Sequence, residues 1–261
     1  MFEFASETVA LLMLAAFAAG FIDSIAGGGA LIGIPALLLA GIPPVSALGT
    51  NKLQALFGSG SATLAYASKG HVDLRKQLPS AVVAAIGSAI GALAATAVPA
   101  DMLEAALPVV LIAIALFFAV KPRMNDVDRA RRMTPFLFGL TVVPVLGFYD
   151  GIFGPGTGSF YMLAFVTLAG HGVLKATAHT KFLNLATNIG ALIVFALAGA
   201  IYWKIGLVMG VAQFFGARLG ALLAIRVGSR LIKPVLVVVC FALTVKLLAD
   251  PTNPLRATLG I

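Results

Sequence analysis

Asp23 and Asp150 are acidic residues inside apolar segments, and a glycine cluster follows each closely: Gly27-Gly28-Gly29 and Gly154-Pro155-Gly156. A carboxyl group in hydrocarbon can carry protons in a coupled cycle, because desolvation opposes its ionised form. It can equally pair with a cation, or cap the amides of its own glycine break. Lys52 and Lys181 open long apolar runs after polar approaches, Gly49-Thr50-Asn51 and Ala178-His179-Thr180. An intramembrane lysine is costly unless it is paired or hydrated, although one in the first turn of a helix can snorkel to the interface. Lys181, Asn184 and Asn188 follow a helical spacing with Thr177, and Lys52 has Ser59 and Thr63 on its own face with Gln54 nearby. A polar stripe carrying a cation points inward, toward a bound anion or a water path.

The glycine clusters supply a third chemistry. A broken membrane helix frees backbone amides that persist unpaired only where they line a cavity or are buried in protein. Amides at the start of the next helix attract anions. Gly27, Gly28 and Gly29 on one side, and Gly154, Gly156 and Thr157 with Ser159 on the other, are therefore candidate oxyanion contacts beside Asn51, Lys52, Thr180, Lys181, Asn184 and Asn188. Close helix packing is the competing use of small residues. Arg218 has no counterpart in the first half, where Ala89 stands; it could pair an acid, contact an anion or sit at an interface.

These positions repeat along the chain. Gly20-Phe21-Ile22-Asp23 returns as Gly147-Phe148-Tyr149-Asp150, 127 residues later (150 − 23), and after a slip of two the offset is 129, matching Lys52 with Lys181 and Gly91 with Gly220. Duplicated apolar halves with paired charges are the layout of transporters whose site lies between the repeats.

Sixty per cent hydrophobic and 11% charged residues, with a mean hydropathy of +1.04, place the chain in lipid. Its apolar runs are continuous, which excludes a transmembrane barrel of alternating strands. The net charge of +8 comes mostly from loop residues that set membrane orientation, so no nucleic-acid partner is expected. Cys240 is the single cysteine and the three histidines are scattered, so neither a disulfide nor a metal cluster is expected. Met1 to Gly20 carries Glu3 and Glu7 and lacks a basic start, and is expected to be a retained helix.

Apolar segments run from 8 to 40, 51 to 68, 78 to 98 and 102 to 120, then from 134 to 169, 178 to 201, 205 to 225 and 229 to 248. The first segment of each half is too long for one crossing, since 33 helical residues span about 50 Å against a core of about 30 Å. The glycine clusters must break it. The expectation is an all-α polytopic membrane protein of two homologous halves, 1–120 and 134–261, joined by a polar linker at 121–133. Four crossings per half would make the repeats parallel. Five, with a short second helix from Leu31 to Ala40, would make them inverted, and loop charge favours this arrangement.

The runs Phe21 to Gly29, Gly49 to Lys52 and Gly147 to Gly158, with Lys181 and Asn184, resemble the signature of the sulfite exporter TauE/SafE family, also called the toluene sulfonate uptake permease family. The likeness extends from about residue 8 to 248. It implies a multi-pass transporter of a bacterial inner membrane that moves small sulfur-containing or organic anions such as sulfite, sulfonates or sulfoacetate. His179 departs from the family pattern of a small residue, leaving room for a different substrate or a protonatable group beside Lys181. The expected partners are a small anion and the bilayer, with a homodimer left open; no cofactor is expected. An anion channel would use the same residues. An intramembrane enzyme would need a nucleophile with a nearby base, and no His-Glu-x-x-His or similar pattern is present.

Overall fold

The computed structural model describes residues 5–99, 128 and 130–228. The apolar segments expected at 102–120 and 229–248, most of the linker and Cys240 lie outside the described residues. Within them the chain forms α1 (Ser6–Ala26), α2 (Ala30–Leu39), α3 (Pro44–Ala67), α4 (Leu74–Ala97), α5 (Pro135–Ile152), α6 (Thr157–Thr167), α7 (Val173–Leu197) and α8 (Trp203–Val227), with no strand. Five of these, α1, α4, α5, α7 and α8, are long and apolar enough to cross a membrane. Leu14, Ile90, Phe136, Leu197 and Phe215 are exposed on outward faces. A belt of such residues is disfavoured in water and is the lipid contact of a bilayer protein.

Local chemistry explains the boundaries. Pro43-Pro44 reads in sequence as a break, yet α3 starts at Pro44, where a missing N–H costs nothing. Lys52 therefore lies eight residues inside α3 (52 − 44), and Lys181 eight inside α7 (181 − 173). Neither is a first-turn residue able to snorkel; both are buried. The Asp73 carboxylate accepts the N–H groups of Arg75 and Lys76 to start α4, and Thr134 Oγ1 accepts that of Leu137 to start α5. The long first segment of each half is broken as expected, with positive φ at Gly27 (80°), Gly28 (96°), Gly154 (88°) and Gly156 (77°). After its break α2 doubles back: Gly29 lies against Ala19 and Asp23, and Leu37 shares an apolar cluster with Leu12 and Ala16.

Glycine-on-backbone contacts fix the helix directions. Gly216 and Gly220 of α8 meet the Phe17 and Phe21 carbonyls of α1, so these two run the same way. Gly87 and Gly91 of α4 meet Pro144 and Phe148 of α5, and Gly147 and Gly151 return the contact against Ala84 and Ser88. Small residues let backbones approach this closely. Leu53 and Phe57 of α3 lie against Gly206 and Gly210, so α3 also follows α8. Ala85 of α4 lies against Gly190, and the His179 carbonyl accepts from Gln77, so α7 follows α4. One body thus contains α1, α3 and α8, and an oppositely directed one contains α4, α5 and α7. Each mixes helices of both sequence halves.

The bodies meet where α3 and α7 cross. The helix ends on one face carry Lys69, Arg75, Lys76, Arg131, Arg132, Lys175 and Arg226. Those on the other carry Glu7 and Lys204.

Candidate functional site

The two glycine breaks meet inside the protein. Ser159 Oγ donates to the Ala26 carbonyl at 2.8 Å, and a Cβ on Gly27 would come within 2.4 Å of the Ser159 nitrogen. Only glycine allows that approach.

Around the breaks the four charges pair crosswise. Lys52 Nζ lies 3.0 Å from Asp150 Oδ2, and Lys181 Nζ lies 2.9 Å from Asp23 Oδ2. Each lysine bonds the aspartate of the opposite sequence half. Lys52 also donates to the Asp150 carbonyl, and Asp23 Oδ1 accepts the Gly29 N–H at 3.1 Å. Asp23 thus both pairs with a lysine and caps its own break. The lysine side chains are 2% and 1% exposed, against 7% for Asp150 and 16% for Asp23. Eight residues of helix rise about 12 Å, and α3 and α7 start on opposite faces. The Lys181–Asp23 pair therefore sits toward the basic face and the Lys52–Asp150 pair toward the other.

Between them is a cavity of about 30 Å³, room for one or two water molecules. Asp23, Gly28, Gly29, Ala30, Asn51, Lys52, Asp150, Gly154, Gly156, Thr157, Gly158, Asn184, Asn188 and Gln213 line it. The N–H groups of Gly28, Ala30, Gly156 and Gly158 have no acceptor among the described residues. Asn184 Oδ1 and Gln213 Oε1 are likewise buried without a partner. The site thus has no net charge from its two ion pairs, and holds unused backbone donors next to unused amide groups. Asn188 Nδ2 donates to Ser59 Oγ at 3.3 Å, tying α7 to α3 between repeat-matched residues.

Other candidates fall outside the cavity wall. Gly27 packs behind it against Ser159, and Lys181 reaches Asp23 from behind. Thr180 is buried but does not line the space. Thr177 turns its hydroxyl to the Val173 carbonyl of its own helix. Arg218 is half-buried with no acid partner among the described residues. His179 packs on Phe165 and His171, with the two imidazole centres 4.7 Å apart. Gln213 is the polar side chain of the lining that sequence reasoning missed. Its signal was a lone amide in an apolar helix, and the repeat obscured it because Ala84 stands at the matching position (213 − 129).

At the basic face, burial and then Lys175 push the His171 imidazole down to about 4. The Gly172 N–H, and then Lys175, hold the Asp128 carboxyl below its usual range.

Lipid-facing helices around a buried, ion-paired polar centre, with broken helices meeting inside it, define a polytopic membrane protein of transporter type. The chain belongs to the sulfite exporter TauE/SafE family, whose model matches residues 12–247. It is 63% identical over 260 residues, the full length of both chains, to probable membrane transporter protein ORF9 of Sinorhizobium sp. It is 48% identical to probable membrane transporter protein YfcA of Escherichia coli K12 over 92% of this chain and 89% of that one. A probable membrane transporter protein of Haemophilus influenzae is 45% identical over 94% and 96% of the two chains. No solved structure matches. The protein is a multi-pass membrane transporter of a bacterial family, not an enzyme.

Proposed function

We propose that the chain is a secondary transporter of small organic or sulfur-containing anions, with sulfite, sulfonates and sulfoacetate as the class, bound between the two repeats. The observation that carries this reading is that four break residues whose amides have no acceptor among the described residues line a cavity flanked by two buried lysines. Amides and ammonium groups in a dry site recognise oxyanions. The present cavity is too small for such a solute, so binding requires the site to widen.

The crossed ion pairs supply the means. Both link the α1/α3/α8 body to the α4/α5/α7 body, one pair toward each face. Opening the Lys181–Asp23 pair exposes the cavity to the basic face, and opening the Lys52–Asp150 pair exposes it to the other. Alternating access is then a rocking of these bodies about the glycine breaks. Inverted repeats account for it: the first helix of one half runs with the fourth described helix of the other, in both pairings. The basic face lies in the cytoplasm by the positive-inside rule. An anion that draws a lysine away leaves an aspartate for a proton to neutralise, which couples transport to protons through Asp23 or Asp150. A cavity this small, flanked by two ion pairs, favours a carrier over a channel.

The test is thermal shift of the purified protein with sulfite, sulfate, sulfoacetate, taurine and acetate, repeated on Lys52→Ala and Lys181→Ala. A ligand that binds the native state raises the melting temperature. A shift selective for sulfur oxyanions and lost in both variants is expected. A shift indifferent to both lysines would refute the site.

A further inference from the structure

Gln213 comes from α8, which packs on α1 and α3 of the first half. Two glycines on two other helices make room for its side chain. A Cβ on Gly20 of α1 would lie 2.8 Å from Gln213 Cγ; one on Gly58 of α3 would lie 2.8 Å from the same atom and 2.9 Å from Nε2. The side chain is held in this slot at the cavity wall, 3% exposed, with Oε1 buried and unpartnered. A packing role does not need this arrangement, since leucine or methionine would fill the same slot without an amide left unsatisfied.

We propose that Gln213 contacts the transported anion and sets its specificity, an inference that rests on the anion-transport reading above. Its primary amide offers one donor and one acceptor group. The ion pairs and the break amides recur in both halves, so they present similar chemistry from each side; Gln213 has alanine as its counterpart and is one-sided. A one-sided amide beside a nest of N–H donors selects small oxyanions that carry a second hydrogen-bonding group next to the anionic head. A polar site discriminates against an analogue lacking that group, because its own buried amide is then left unpaired.

The matched probes are 2-hydroxyethanesulfonate and ethanesulfonate, which differ by one hydroxyl, tested for uptake into proteoliposomes with wild type and Gln213→Met. Wild type is expected to prefer the hydroxylated anion about tenfold in KM, the scale of one hydrogen bond. Gln213→Met should bring that ratio close to one while its melting temperature stays level or rises. A ratio unchanged in Gln213→Met would overturn the contact and leave the anion-transport reading standing. Wild type that moves neither sulfonate, and is shifted by no anion of the panel above, would overturn both together. Gln213→Leu gives the same reading should the methionine variant fail to insert.

Discussion

Replacing Lys52 by methionine strands the Asp150 carboxylate in the interior. The two charges are 3.0 Å apart with side chains 2% and 7% exposed, so at an effective dielectric of about 20 their attraction is about 5.5 kcal/mol. Desolvation offsets most of this in the intact pair. Removing one partner forfeits the attraction but keeps the cost for the other, typically about 3–5 kcal/mol, whereas replacing both by neutral groups is close to neutral. Lys52→Met and Asp150→Asn should each lose about that amount, and the double variant should recover most of it. The same cycle at Lys181 and Asp23 should be shallower, because Asp23 is 16% exposed and retains the Gly29 N–H. Melting curves of all the variants in one detergent measure the coupling; proteoliposome uptake measures function. The double variant should fold yet fail to transport. Additive single losses, with the double variant as unstable as their sum, would refute the claim that the pair acts as a buried unit.

The glycine contacts give a graded test. Gly151→Ala places a Cβ 2.0 Å from the Ser88 carbonyl oxygen and should cost more than about 2 kcal/mol by forcing α5 off α4; Gly60→Ala, whose nearest neighbour is a flexible Leu185 methyl at 3.7 Å, should be neutral or stabilising on the same melting assay. His171 titrates at about 4 when folded, below the roughly 6.5 of an unfolded histidine. Between those values the unfolded state holds the extra proton, so stability should be full above about pH 6.5 and fall as pH drops toward 4. His171→Gln should flatten that part of the melting-temperature profile, and an unchanged slope would assign it to other groups.

Much of this was legible because the repeat marked it. Asp23, Asp150, Lys52 and Lys181 stand out as charges in apolar runs at matched positions, and the glycine clusters through a segment too long to cross once. Which carboxylate would meet which lysine was not legible, since pairing within a half and pairing across halves obey the same spacing. The start of α3 was obscured by Pro43-Pro44, because proline ends one helix and begins another with equal ease. Thr177 and Thr180 share the inward stripe, but a hydroxyl can bond its own helix backbone, and for Thr177 it does. Gln213 was lost for the opposite reason: a search guided by symmetry passes over what only one copy contains.

The exchange of helices between the halves bears on how the protein is made. α1 has its glycine-fitted partner in α8, close to 200 residues later in synthesis (216 − 17). During translation α1 and α3 must wait in the bilayer with their grooves, and the aspartate and lysine they carry, unfilled. α4 waits a shorter time for α5, so that body closes first and the α1/α3/α8 body last. Neither half expressed alone can complete either of the two buried crossed pairs. A chain cut at the linker should regain function only when both pieces are inserted together, and a truncated one presents stranded charges by which membrane quality control can recognise it.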